Sequence, residues 1–359
     1  MNIYYFAPIP YDFLMQRPQY LAKELSKQYS VIYIEPTVSP IRWLLKGGEK
    51  PVFVSEKISA NLNVVRLNGL FTLPRTLNAF DLKLNLQWEL MQLKKLVQET
   101  DMLWVGYCGW WPLISRLKCK HLIYDRMDDQ SLLINNALLS KQLAKNDKKI
   151  MQSADCIFAS AGSLYDEALT LNKRAYLVPN AVTKDFAQNT AIKDKVDGKK
   201  AFGYVGMIDS WFDAEAILAI AKADESHEVV LVGPNNIPEI QHQRVKYVGR
   251  VPKTELPEWI SGFDVCLYPF KQNRLLETIN PVKIYEYLAM NKPVLAVDSR
   301  EIRAFGDLVQ RYSSYDDLNK LSKQHFPSPF TTDEARHDFI TENNWSKRGK
   351  KILAILDNL

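Results

Sequence analysis

Apolar and polar residues alternate between two patterns in the first half of the chain. Helical stretches with one apolar face cover residues 17–27, 82–97 and 137–151. Between them recur short apolar runs of the kind that form buried parallel strands, at residues 2–7, 31–35, 63–67, 102–107, 121–125, 155–160 and 175–179. This alternation predicts an α/β fold with a mostly parallel sheet.

A second α/β series follows in the rest of the chain. Its strands are predicted at residues 201–205, 228–232, 245–248, 265–269, 294–297 and 307–311. Residues 209–223 are predicted to form a helix, and the tail from 333 to 356 is largely helical with Trp345 as an apolar anchor. Residues 181–200 between the two series are polar without a clear period, which indicates a linker.

Length and composition change this picture little. A chain of 359 residues favours two domains, which we place at residues 1–182 and 201–335 with the linker at 183–200. The net charge of +5 suits an anionic ligand or membrane surface but is too small to indicate nucleic acid. The chain starts without a signal-peptide pattern, and its four cysteines lack zinc or C-x-x-C spacing. We therefore expect a cytoplasmic protein with reduced thiols.

The stretch from residue 280 to 297 forms a coherent unit. Asn280 is predicted to be the N-cap of a helix, with Pro281 at the first helical position. Asn291 suits the left-handed position at the C-terminus, and Pro293 prevents the helix from continuing into the strand 294–297. The N-terminus of this helix, with its free amides and positive dipole end, is a candidate phosphate site.

Two charged residues lie on one face of that helix. Lys283 and Glu286 are three positions apart, so their side chains are neighbours. A cation near the phosphates and a carboxylate one turn further would suit a nucleotide diphosphate and its ribose hydroxyls. A capped surface helix carrying an ordinary Lys–Glu pair explains the same residues.

A group of carboxylates follows a predicted strand in the first half. Asp125, Asp128 and Asp129 lie where an open α/β sheet places ligands, at the carboxyl end of a strand. One of them could remove the proton from an acceptor hydroxyl, and Asp128 is our preferred base. Alternatively, Asp125 caps a turn while Asp128 and Asp129 begin a helix.

Several other kinds of site are not indicated. The five histidines never fall at ligand spacing, so no metal site is assigned. Neither a Gly-x-Ser-x-Gly motif nor a Gly-x-Gly-x-x-Gly fingerprint is present, which counts against a hydrolase and a dinucleotide-dependent dehydrogenase. The lysines between residues 141 and 149 are interpreted as a solvated helix face.

A family resemblance emerges from short motifs in a fixed order. The second half contains GYVG at 203–206, VGRVP at 248–252, DVCLYPF at 264–270 and PVKIYEYLA at 281–289. The first half contains Arg17-Pro18-Gln19, the group from Tyr124 to Asp129, and VPN at 178–180. Together they resemble the GT-B glycosyltransferases of the family-4-like group 1 kind, and especially the teichuronic-acid-type bacterial enzymes that build cell-surface polysaccharide.

The resemblance implies a fold and an activity. Two Rossmann-like, doubly wound domains would face each other across a cleft, and a C-terminal helix at 336–359 would pack back on the first domain. The enzyme would be a hexosyltransferase-type transferase that moves a sugar from a nucleotide-diphosphate sugar to a glycan or lipid-linked acceptor. It would need neither a divalent metal nor a cofactor beyond the donor substrate.

The resemblance also implies a division of the site between the two domains. In the second domain, Glu286 would hold the ribose and the turn at Arg250 and Val251 would border the base. The remaining donor-binding residues are Gly206, Met207, Asn280, Pro281, Val282 and Lys283. On the acceptor side, Arg17 and Asp125 would contact phosphate or acceptor, and Asp128 would act as base, or failing that Asp12 or Asp129. A mechanism that retains anomeric configuration would need no such base.

Two departures from the family pattern affect the phosphate site. The family carries two glutamates eight positions apart, and here Glu286 fits the second while the first position falls at Thr278, beside Glu277. The usual Gly-Arg and Lys-Gly phosphate clamp is also missing, since Gly206 is followed by Met207. We therefore assign the phosphates to the helix N-terminus, Lys283 and Arg17.

Membrane contact and other functions remain open at this point. Trp43, Leu44, Phe71 and Leu73 lie among basic residues in predicted loops, which suits peripheral contact with the inner membrane face, although such residues more often simply pack under a loop. The alternative functions are a GT-B-type nucleotide-sugar epimerase and a two-domain small-ligand-binding protein. An epimerase would change the nucleotide sugar without any second substrate.

Overall fold

The computed structural model describes residues 1–13, 15–38, 53–69, 80–183, 186 and 198–359. The chain divides into two compact units, Met1–Pro179 with Arg348–Leu359, and Asn180–Lys347. The domain limits predicted from the sequence are 182 and 335. Most of the predicted linker lies outside the described residues.

The first unit is built on an eight-stranded sheet with the order β3-β4-β2-β1-β5-β6-β7-β8. Its strands are β1 (Asn2–Phe6), β2 (Ser30–Val38), β3 (Val54–Ser59), β4 (Leu62–Asn68), β5 (Met102–Val105), β6 (His121–Arg126), β7 (Cys156–Ala159) and β8 (Ala175–Leu177). The pairings are parallel except for β3 with β4. The predictions did not include β3, because this edge strand is polar and largely exposed.

Among the described residues, five helices lie between the strands of the first unit. They are α1 (Arg17–Leu25), α2 (Phe80–Leu96), α3 (Trp111–Ile114), α4 (Ala137–Ser153) and α5 (Gly162–Leu171). Leu93 of α2 and Leu143 of α4 belong to one buried apolar cluster with Tyr4 and Leu103 of the sheet. These two helices therefore pack on the same face of the sheet.

The second unit contains a six-stranded parallel sheet with the order β11-β10-β9-β12-β13-β14. The strands are β9 (Lys200–Val205), β10 (His227–Val232), β11 (Val245–Gly249), β12 (Val265–Tyr268), β13 (Val294–Val297) and β14 (Gln310–Tyr312). The last strand begins later than the predicted 307, because a 3₁₀ turn occupies Gly306–Leu308.

In the described part of the second unit there are six helices, and a seventh belongs mostly to the first unit. They are α6 (Ala214–Ala223), α7 (Leu256–Ser261), α8 (Val282–Ala289), α9 (Arg300–Arg303), α10 (Tyr315–Ser322), α11 (Asp333–Glu342) and α12 (Trp345–Leu356). The predicted start of α6 at residue 209 is wrong. The Asp213 side chain accepts hydrogen bonds from the amides of Glu215 and Ala216, at 3.1 and 3.2 Å, and so caps the helix there.

Most of α12 belongs to the first unit. The Arg348 Nε donates to the carbonyl of Pro179 at 3.2 Å, and the Lys351 Nζ donates to that of Leu177 at 2.9 Å. Gly349 lies so close to α1 that a Cβ there would come within 2.6 Å of the Glu24 Cβ. The end of the chain thus packs on the sheet face that carries α1. Among the described residues, no helix is long and apolar enough to cross a membrane.

Each sheet reverses its strand order beside its first strand. In the first unit β1 lies between β2 and β5, and in the second β9 lies between β10 and β12. Both units are therefore doubly wound, as predicted. In such sheets ligands bind at the carboxyl ends of the strands where the order reverses. Gly206 follows β9 and Asp128 follows β6, each at the carboxyl edge of its sheet.

Candidate active site

The start of α8 differs from the prediction at Asn280. The N-cap position is Pro281, with φ −81° and ψ 94°, and helical residues begin at Val282. The Asn280 Oδ1 instead accepts the amide of Asn180 at 2.8 Å, and its Nδ2 donates to the Glu301 Oε2 at 3.3 Å. Asn280 is therefore not the N-cap, because tertiary partners occupy its side chain.

The first amides of α8 remain available to a ligand. The Ile284 amide donates to the Pro281 carbonyl at 3.1 Å, so the first turn closes early. The amides of Val282 and Lys283 have no partner within the described parts of the chain. Two donors at a helix N-terminus favour an anion such as phosphate. At the other end Asn291 has φ 54°, which confirms its predicted left-handed conformation.

Lys283 and Glu286 form an ion pair on the face of α8. The Lys283 Nζ lies 2.8 Å from the Glu286 Oε2, and the Glu286 residue is only 2% exposed. A buried carboxylate is costly without a partner, so the ion pair with Lys283 stabilises and orients Glu286. The carboxylate retains acceptor capacity for hydroxyl groups.

A hydrogen bond ties α8 to the edge of the central strand. The Tyr287 hydroxyl accepts the amide of Val205, the last residue of β9, at 3.0 Å. Gly206 follows directly, and its carbonyl oxygen approaches Gly233 so closely that a Cβ on Gly233 would overlap it. Gly233 also has φ 143°, which few other residues adopt. The strand end at Gly206 and the start of α8 therefore belong to one framework.

The other predicted donor residues lie at the same edge of the sheet. Met207 is 45% exposed, and its carbonyl accepts the Tyr204 hydroxyl at 3.0 Å. Arg250 follows β11, is exposed and has no ion-pair partner among the described residues. Val251 packs partly against the core of the unit.

The position of the family's first glutamate carries no free carboxylate. Thr278 is buried, and its hydroxyl donates to the Leu275 carbonyl at 2.8 Å. The neighbouring Glu277 is exposed and accepts the amide of Arg300 at 3.3 Å. Glu301, which supports Asn280, was missed by the sequence analysis, because nothing near it in the chain marks it.

In the first unit, Arg17 and Asp125 form a buried ion pair. The Arg17 Nη2 lies 2.7 Å from the Asp125 Oδ1, and Arg17 Nη1 donates to the Val178 carbonyl at 2.7 Å. The other Asp125 oxygen accepts the Tyr5 hydroxyl at 3.1 Å. These bonds join α1 to the ends of β6 and β8. The charged groups of Arg17 and Asp125 therefore bind to partners within the first unit rather than to a ligand.

The two alternative bases have different surroundings. The Asp129 Oδ1 accepts hydrogen bonds from the Ser131 amide at 3.1 Å and from its hydroxyl at 2.5 Å, which shapes a local turn. Asp12 is exposed in the loop after β1. That loop is held by Glu35, whose Oε1 accepts the Tyr11 amide at 2.7 Å.

Asp128 has no protein partner among the described residues. It is half-buried, and its carboxylate makes no hydrogen bond or ion pair with the described residues. Burial raises the pKa of Asp128 to about 7; the Arg17 charge lowers it, and the carboxylates of Asp125 and Asp129 raise it. A carboxylate of this kind is suited to accept a proton near neutral pH. No group of metal-ligating side chains converges among the residues described.

Comparison with known proteins first gives the class. Residues 199–311 match the family model described as Glycosyl transferases group 1. This range contains β9 to β13 and the predicted donor residues from Gly206 to Glu286. The match lies within the second unit, and the resemblance predicted from the motifs is confirmed.

One curated relative and two solved structures sharpen the comparison. The chain is 27% identical over 223 residues to the putative teichuronic acid biosynthesis glycosyltransferase TuaH of Bacillus subtilis (strain 168), and the match spans 56% of each chain. Sucrose-phosphate synthase from Thermosynechococcus elongatus aligns with a TM-score of 0.69 at 14% identity, covering 99% of this chain and 98% of that one. A UDP-forming trehalose-phosphate synthase from Burkholderia xenovorans aligns with a TM-score of 0.69 at 13% identity, covering 100% of this chain and 99% of that one. The predicted GT-B fold of two Rossmann-like units is confirmed.

Proposed function

We propose that this protein is a glycosyltransferase that moves a sugar from a nucleotide-diphosphate sugar to an acceptor hydroxyl. The observation that carries the proposal is the family match over residues 199–311, because it contains the helix with Lys283 and Glu286. The whole-chain fold and the curated relative support the same class of reaction.

The donor is assigned to the second unit. Glu286 accepts the ribose hydroxyls, while the amides of Val282 and Lys283 and the Lys283 ammonium hold the diphosphate. Arg250 and Val251 border the base, and Gly206 and Met207 line the strand end. Asn280 supports this edge indirectly through Asn180 and Glu301. The geometry favours these roles because the carboxylate, the ammonium and the open amides lie within the first two turns of α8.

The acceptor chemistry is assigned to the first unit. In a reaction that inverts the anomeric carbon, Asp128 removes the proton of the acceptor hydroxyl. The acceptor oxygen then bonds to the anomeric carbon as the bond between that carbon and the diphosphate breaks. The charge of the leaving diphosphate is stabilised by Lys283 and the start of α8. In a reaction that retains configuration, Asp128 contributes only to acceptor binding. Arg17 and Asp125 support the loop that carries it.

The proposed acceptor and cellular setting follow from the function of the curated relative. We assign a glycan or lipid-linked acceptor in cell-surface polysaccharide synthesis, since the curated relative is described as acting in teichuronic acid biosynthesis. Trp43, Leu44, Phe71 and Leu73, the residues predicted to contact the inner membrane face, lie outside the described residues. Metal-independent turnover likewise stays a prediction.

Donor screening followed by an acceptor assay tests the proposal. Binding of UDP-, GDP- and dTDP-sugars is measured by thermal stabilisation, because a ligand that binds only the folded state raises the melting temperature. The stabilising donor is then incubated with and without a membrane-lipid and glycan extract. Acceptor-dependent release of nucleoside diphosphate supports a transferase. Conversion of the sugar without extract indicates an epimerase, and binding without turnover indicates a binding protein.

A further inference from the structure

Helix α4 presents a face whose charged side chains are all lysines. Lys141, Lys145, Lys148 and Lys149 are exposed. At 100° per residue their side chains project within about a third of the helix circumference. The one acidic residue of the helix, Asp147, is turned inward and lies 2.7 Å from the Nη2 of the buried Arg126.

These four lysines are not used by the protein itself. None of them has an ion-pair or hydrogen-bond partner in the described parts of the chain. A row of unpaired cations on one helix face repels itself, and an external anionic surface relieves this repulsion. The face is therefore suited to an anionic partner.

Apolar side chains stand at the end of this face nearest the candidate base. Leu138, in the first turn of α4, is 73% exposed, and Leu133 is 45% exposed. Leu133 belongs to the loop between β6 and α4, which also carries Asp128. An apolar tip next to a row of lysines is the composition that binds the interface of a lipid bilayer.

Helix α2 extends the same kind of surface. It packs on the same sheet face as α4, since both contribute to one apolar cluster. Its outer side exposes Trp88 (37%) and Met91 (54%), together with Lys94 and Lys95. Glu89, the acidic residue within 85–96, is buried. Helices α2 and α4 thus both expose lysines and apolar side chains. No acidic side chain lies on the described part of either outer face.

We propose that the outer face of α4, aided by that of α2, docks on an anionic lipid bilayer. Docking places the loop of Asp128 at the membrane surface, where a lipid-linked acceptor presents its hydroxyl. The acceptor part of this inference rests on the proposed function, whereas the bilayer contact does not. The lysines supply electrostatic attraction, and Leu133 and Leu138 enter the headgroup region.

Vesicle flotation of the full chain tests the docking surface. The probe is a vesicle of phosphatidylglycerol and phosphatidylcholine, compared with phosphatidylcholine alone. The test variant replaces Lys141, Lys145 and Lys148 by Gln. The control replaces three exposed lysines of the second unit, at positions 222, 320 and 323, by Gln, so that both variants have a net charge of +2 (5 − 3).

The expected result is specific to the α4 face. Each lysine near an anionic bilayer strengthens binding about fivefold, so the test variant should bind about a hundredfold more weakly while the control binds like wild type. Wild-type binding should fall with added salt and be absent on phosphatidylcholine. Replacing Leu133 and Leu138 by Ser should weaken binding severalfold without changing its salt dependence.

Three outcomes would overturn the inference. They are a wild type that does not float with anionic vesicles, a test variant that floats like the control, and binding to soluble polygalacturonate in the absence of vesicle binding. The last result would assign the lysines to an anionic polysaccharide. Flotation needs no turnover, so a protein that floats but transfers no sugar contradicts only the proposed function.

Discussion

The two units share a doubly wound architecture but treat their key carboxylates in opposite ways. In the second unit, Glu286 is buried and already paired with Lys283 at 2.8 Å. In the first unit, Asp128 is left without a partner among the described residues, and burial raises its pKa to about 7. Under the proposed function, the paired Glu286 holds the nucleotide, while the unpartnered Asp128 accepts the proton of the acceptor.

The surfaces of the two units differ as well. Among the described residues, large apolar side chains are exposed at eight positions in the first unit and at two, Met207 and Tyr315, in the second. Met207 lies at the proposed donor site. The second unit thus exposes few large apolar groups away from that site, whereas the first offers several to a partner or a membrane.

The largest expected effect comes from the buried ion pair of the first unit. Replacing Asp125 by Ala leaves the Arg17 charge buried and unpaired, which should lower the free energy of unfolding by about 3–5 kcal/mol. Urea unfolding of the full chain measures it. The matched control is Glu99→Ala, which breaks the exposed pair with Lys118 and should change stability little. Equal losses in both variants would show that the buried pair has no special structural role.

Glu286→Ala should break the binding function of the second unit. It removes the carboxylate that accepts the ribose hydroxyls, and hydrogen bonds to charged groups contribute about 1.5–3 kcal/mol each. Affinity for the nucleotide should therefore fall by more than about a hundredfold while the fold stays intact. Calorimetry with the nucleotide of the stabilising donor measures this. The control, Glu277→Ala, removes an exposed neighbouring carboxylate and should bind the nucleotide with wild-type affinity. A Glu286→Ala protein that also binds with wild-type affinity would refute the assignment of the ribose to Glu286.

Asp128→Asn should separate chemistry from binding. Loss of a general base lowers turnover by roughly a hundredfold or more, while donor affinity, assigned to the second unit, stays unchanged. Steady-state kinetics and calorimetry on the same variant provide the two values. Asp12→Asn and Asp129→Asn serve as controls. A larger loss in either control would move the base to that residue, and full activity of Asp128→Asn would remove it from the chemistry.

The raised pKa of Asp128 also predicts a pH-dependent stability. Below about pH 4 the carboxyl is protonated in both states, but between about 4 and 7 only the folded protein keeps the proton. The stability that the protonated Asp128 carboxyl gives the folded protein is therefore lost as the pH rises through about 7. The stability of Asp128→Asn relative to wild type should rise by about 1–3 kcal/mol between pH 5 and pH 8. Urea unfolding at both pH values measures it, and an equal difference at both would contradict the raised pKa.

The smallest expected effect is that of metal removal. If the ammonium of Lys283 and the amides of α8 stabilise the diphosphate, a chelator should leave turnover unchanged. The transferase assay with and without EDTA provides the measurement. Activity that disappears in EDTA and returns only with magnesium or manganese would show that a metal supplies this charge.

Local patterns in the sequence determined the elements and the class. Buried parallel strands are nearly continuous apolar runs, so their positions can be read from the chain, as at β1 and β13. The left-handed Asn291 and the order of motifs through Glu286 likewise depend on neighbouring residues. The polar edge strand β3 was missed because its residues carry no apolar pattern.

Tertiary structure alone decided the roles within the sites. Asp125, Asp128 and Asp129 look alike in the sequence, because three acids after a strand carry no mark of their partners. Asp125 is distinguished by a bond to Arg17, 108 positions away, whereas the bonds of Asp129 to Ser131 are local. Asn280 was a good N-cap by local preference, but Asn180, 100 positions away, occupies its side chain. A partner distant in sequence decides which polar group is satisfied and which remains for a substrate.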